Sequence, residues 1–69
     1  MTRAEVSRLL GRKTVMAVPD TNEVFLGEIT GYNLDHDPQY VVVTWSDGLE
    51  VNYPISWITS TEGPEVKIR

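Results

Sequence analysis

The chain has no cysteine, a single histidine and, between Lys13 and Lys67, neither lysine nor arginine. Without cysteine there is no disulfide framework and no thiolate metal site. One histidine and no Gly-x-Ser-x-Gly element leave no nucleophile–base pair to name, so an enzyme is not expected. No segment approaches the roughly 20 apolar residues that a membrane helix needs. Residues 1–13 lack the apolar stretch and small-residue cleavage site of an export signal. A cytoplasmic protein with no membrane partner and no cofactor is the expectation.

What is present is acidic and apolar. The 69 residues carry a net charge of −4 and are 41% hydrophobic, enough for one small core near the lower size limit for unaided folding. All the bases lie at the ends, as Arg3, Arg8, Arg12, Lys13, Lys67 and Arg69. The intervening acids are Asp20, Glu23, Glu28, Asp35, Asp37, Asp47, Glu50, Glu62 and Glu65. The middle of the chain therefore presents a field of one sign. No repeat, linker or low-complexity run divides it, so a single domain over 1–69 is expected, with a helix and cap at 1–11 and a barrel at 13–69.

The start reads as a short helix. Thr2-Arg3-Ala4-Glu5 fits a capping box, Val6, Leu9 and Leu10 form an apolar stripe, and Gly11 suits the left-handed position beyond the last turn. So short a helix must dock, and an open end of the barrel is its expected seat. Strands are expected at Thr14–Val18, stopped by Pro19-Asp20, and at Glu23–Asn33, where Gly27 and Gly31 imply a bend or bulge. After the polar loop Leu34–Gln39, Tyr40–Ser46 sets Val41, Val43 and Trp45 on one face. Asp47-Gly48 is a hairpin signal, and Leu49, Val51 and Tyr53 alternate with Glu50 and Asn52 until Pro54 stops the ladder. Pro54–Ile58 reads as one tight helical turn with Ile55 and Ile58 inward. The closing strand is either Trp57–Thr59 or Glu65–Ile68.

This plan resembles a five-stranded SH3-like barrel preceded by a short helix, a mainly all-β class. Phe25-Leu26-Gly27-Glu28-Ile29 and Val43-Thr44-Trp45-Ser46-Asp47-Gly48, followed by Glu50, Val51, Ile55 and Ile58, further resemble Tudor domains over residues 14 to 59. The resemblance implies an aromatic cage for a methylated cation, a cation–π device, with Phe25 and Trp45 at cage positions. Pro19 or Asp20 stands where another aromatic is often found, and the turn after Trp45 carries none. Two walls do not make a cage, and core packing is the alternative role for Trp45.

Asp35-His36-Asp37 is the one cluster of metal-ligand types, but its spacing matches no calcium or zinc loop, and solvated turn chemistry accounts for it. Asp47 and Glu50 flank a turn in water and make poor proton donors. The expected function is that of a non-catalytic protein-interaction module, an adaptor or inhibitor, offering an acidic surface to a basic protein partner. Phe25, Trp45, Asp47, Glu50, Tyr53 and Trp57 are the candidate binding residues, with Tyr53 and Trp57 alternatively covering the barrel's ends. Such a chain suits a phage or plasmid accessory protein that blocks a basic, nucleic-acid-handling enzyme. The competing expectations are a nucleic-acid-associated barrel using the terminal bases as one patch, and a structural subunit of a larger assembly.

Overall fold

Alternating valines dictate the centre of the fold. Tyr40-Val41-Val42-Val43-Thr44-Trp45 is β-branched or aromatic throughout, which favours a pleated half-buried surface, and it forms strand β3 (Tyr40–Trp45). Val41 and Val43 are fully buried while Val42 and Thr44 are only half-buried. The computed structural model describes residues 1–17 and 20–69. Around β3 stand β1 (Lys13–Ala17), β2 (Val24–Asn33), β4 (Glu50–Pro54), β5 (Ile58–Ser60) and β6 (Glu65–Ile68), in the spatial order β4-β3-β2-β1-β6-β5. Every neighbouring pair is antiparallel except β1 with β6, which is parallel. Val18 and Pro19, expected to end the first strand and begin its turn, lie outside the described residues.

The sheet has six strands where five were expected, because both candidates for the closing strand form. Ile58–Ser60 and Glu65–Ile68 pair with each other. The sheet curls into a half-barrel whose two edges, β4 and β5, are joined by a 3-10 turn at Ile55–Trp57. The expected inward residues of this turn, Ile55 and Ile58, do pack against the core.

The glycines of β2 have two different causes. The register slips by one residue between Ile29 and Gly31, a bulge that bends the long strand. Gly27 keeps its register, and there a side chain would collide with Trp45 and Val43. The Asp47-Gly48 hairpin also differs from a two-residue turn. Gly48 N–H donates to Trp45 O and Trp45 N–H to Leu49 O, and within this loop Gly48 alone has positive φ. The loop is therefore the three residues Ser46–Gly48, closed by a left-handed glycine bulge. Asp47 is the reason, because its carboxylate accepts the Leu49 N–H at 2.9 Å and holds the turn open by one residue.

Helix α1 (Arg3–Ser7) begins with the expected capping box, in which Thr2 N–H donates to Glu5 Oε1 and Glu5 N–H to Thr2 Oγ1. Val6 and Leu9 enter the core with Ile29, Val41, Val43, Val66 and Ile68. Leu10 does not: it is 44% exposed, because the helix ends at Ser7 and the following turns carry Leu10 off the apolar face. Gly11, at φ 82°, turns the chain so that its N–H donates to Ile29 O and Ile29 N–H donates to Arg12 O. Those two bonds seat the helix on the middle of β2. Each buried aliphatic side chain contributes about 1.5–3 kcal/mol, so Val6 and Leu9 hold a helix too short to persist in water.

Candidate aromatic groove

The helix fills the hollow of the half-barrel around Ile29. Beyond it, towards the Trp45 end, the hollow stays open. Alternation places Phe25 on the inner face of β2, Trp45 on that of β3, and Val51 and Tyr53 on that of β4. Register sets Met16 of β1 beside Phe25. With Leu49 and Asp47 these residues line a groove of about 420 Å³. Phe25 is 53% and Leu49 58% exposed, a degree of apolar exposure that marks interaction surfaces when it is contiguous.

The rings form a chain. Phe25 meets Trp45 edge-on at 6.3 Å between centroids, Trp45 meets Tyr53 edge-on at 5.9 Å, and Tyr53 meets Trp57 at 5.9 Å. These separations suit the aromatic quadrupole and order the rings. Trp45 is half-buried against the core and half open to the groove. Core and groove roles thus coexist in one side chain.

Of the expected binding residues, Phe25, Trp45, Tyr53 and Trp57 are brought into this one row, and Asp47 joins the groove's lining. Glu50 is not beside Tyr53. It projects from the opposite, outer face of β4, because neighbouring residues of a strand alternate. Met16 and Leu49 were missed as site residues, although their period-two spacing from Thr14 and Val51 was the signal that could have found them. Asp20, the described alternative for a third cage position, has φ 65° and is exposed.

Three of the bases, Arg12, Arg3 and Lys13, lie beside carbonyls or acids. Arg12 donates through Nη1 to Thr61 O at 2.7 Å and through Nη2 to Gly63 O at 2.6 Å. Arg3 sits 4.0 Å from Asp35, both well exposed. Lys13 has Glu28 and Glu65 as its cross-strand partners, while Lys67 is registered with Val15. Arg8 caps the helix, and Arg69 donates its backbone N–H to Trp57 O.

In the Asp35-His36-Asp37 loop, His36 Nδ1 lies 2.9 Å from Pro38 O and its ring meets Tyr40 edge-on at 5.2 Å. Asn33 Oδ1 accepts the Asp35 N–H. Among the described residues no three potential ligands gather to hold a metal, and no helix is long and apolar enough to cross a membrane.

These features define a class, a small mainly-β half-barrel with one docked helix and an open aromatic groove. Comparison with protein-family models, curated proteins and solved structures finds no significant match for this chain.

Proposed function

We propose that the protein is a non-catalytic interaction module of SH3-like, Tudor-like kind, an adaptor or inhibitor that receives a basic protein partner in the groove of Phe25, Trp45 and Tyr53. The observation that supports this most is the row of rings left open at one end of an otherwise filled half-barrel. Exposed aromatics are the usual anchors of protein interfaces. The surrounding chain from Thr14 to Val66 carries acids and no base, so a cationic partner gains encounter rate and an acidic one is rejected.

A pull-down from the cells of origin at low salt, with wild type, Tyr53→Ala and Glu50→Lys, tests the reading. A basic protein retained by wild type and lost by both variants supports it. Recovery of no basic protein counts against it. Titration with short single- and double-stranded nucleic acid at two salt concentrations tests the terminal bases, where tight and strongly salt-dependent binding would favour the nucleic-acid-associated alternative. A stable homo-oligomer in sedimentation would favour a structural subunit.

A further inference from the structure

The outer edge of β4 borders the groove, and its backbone is unpaired. Trp45 N–H bonds Leu49 O, and Ile55 N–H bonds Gln39 O. With Val43 opposite Val51 and Val41 opposite Tyr53, these are the hydrogen-bonded pairs of the β3–β4 ladder, and the pairs between them are not. Val51 and Tyr53 thus spend their amides on β3, while Glu50 and Asn52 turn theirs outward. No described residue bonds to those outward groups, and both residues are exposed. The opposite edge, β5, has three residues and an irregular register. It offers a poorer template.

We propose that β4 takes up an extended segment of the basic partner as an antiparallel seventh strand, with basic and apolar residues alternating along it. This rests on the interaction-module reading and adds to it a mode of binding and a sequence pattern. A strand paired to β4 places the residues opposite Glu50 and Asn52 on the outer face and those opposite Val51 and Tyr53 over the groove. The outer positions face Glu50, so lysine or arginine is favoured there. The inner positions extend the apolar wall of Val51, Tyr53 and Trp45, so aliphatic or aromatic residues are favoured. Backbone bonds supply the docking and alternate side chains the selectivity, as in other strand-addition complexes.

A second copy of this chain fits the edge less well. Antiparallel β4–β4 pairing about Asn52 sets Glu50 against Pro54, which has no N–H to give. Two chains of net charge −4 also repel each other. The absence of lysine and arginine from β4 leaves the edge without the cations that commonly blunt exposed strands.

The test uses the full chain and synthetic peptides, read by tryptophan fluorescence and by amide hydrogen exchange. The probes are an alternating Lys–Val octapeptide, its Glu–Val counterpart, and two forms of the Lys–Val peptide, one N-methylated on lysine and one on valine. In the proposed register the lysine amides face β4 and the valine amides face away. The Lys–Val peptide is expected to bind and to slow exchange at Glu50 and Asn52. The Glu–Val and lysine-methylated peptides are expected to bind roughly tenfold or more weakly, the second through loss of backbone bonds. The valine-methylated peptide is expected to bind as the parent does.

Equal binding of the lysine-methylated peptide would overturn strand addition. If that binding is still lost in Tyr53→Ala and Glu50→Lys, the groove reading survives without it. Failure of the Lys–Val peptide to bind also overturns the proposal, and a pull-down without a basic partner then removes both readings. A dimer with Glu50 and Asn52 already protected in the absence of peptide would assign the edge to a second copy instead.

Discussion

The indole of Trp45 occupies the space that a side chain on Gly27 would need: a Cβ there would stand 2.8 Å from Trp45 Cε3 and 2.9 Å from Val43 Cγ1 and Thr44 O. Gly27 is thus the floor on which the central ring of the aromatic row rests. Because Trp45 bridges Phe25 and Tyr53, the position of the whole row depends on a missing methyl group.

Gly27→Ala is therefore expected to destabilise the fold by about 1–3 kcal/mol, the usual cost of overpacking, and to displace Trp45. Denaturant titration should show the lower midpoint, and a red shift in native tryptophan emission should report the displaced ring. Unchanged stability and emission would mean that the close approach is not kept in solution.

Arg12 ties the start of β1 to the turn between β5 and β6 through two carbonyls, although these segments lie far apart in sequence. Arg12→Ala is expected to cost about 1–2 kcal/mol, since hydrogen bonds from a charged donor exceed neutral ones and these are partly exposed. Arg12→Lys should recover less than half of that, because an ammonium lacks the planar fork that reaches both oxygens. Thermal unfolding of the three proteins measures the difference.

Thr14 is fully buried between β2 and β6, and its Oγ1 has no hydrogen-bond partner among the described residues. Replacing a buried unpaired hydroxyl by a methyl of similar shape removes its desolvation cost. Thr14→Val is expected to raise stability by about 1 kcal/mol in denaturant titration. A loss of stability would show that the hydroxyl is satisfied.

Glu5 has its carboxyl pKa lowered, first by the Thr2 backbone N–H and then by the Thr2 hydroxyl. A depressed folded-state value means that the carboxylate's contribution is present above the ordinary glutamate range and is lost as pH falls through the lowered one. In acid the wild-type helix should fray more than that of Glu5→Gln, whose amide can still accept the Thr2 N–H and does not titrate. NMR titration of the Glu5 side chain and the Val6 amide checks both the direction and the pH range.

Much of the fold was legible because it rests on local rules. The capping box at Thr2 and Glu5, the left-handed Gly11, the valine alternation of β3 and the tight turn at Ile55–Trp57 each follow from nearest neighbours and from period two or 3.6. Leu10 misled because periodicity cannot tell where so short a helix stops. The Asp47-Gly48 loop gained a residue because the Asp47 carboxylate captured an amide that the ladder would otherwise have used.

The sequence alone determined the strand-forming segments, the segregation of acids from bases along the chain and the absence of any cysteine cross-link. Tertiary structure decided the rest. It made strands of both final segments, used Gly27 for a close approach and Gly31 for a bulge, gathered Phe25, Trp45, Tyr53 and Trp57 into one row, and put Glu50 on the other face of β4. The reason is physical. Spacing within a strand assigns a side chain to a face, but curvature and cross-strand register decide which faces meet, and those are settled only when the whole sheet packs around Val6 and Leu9.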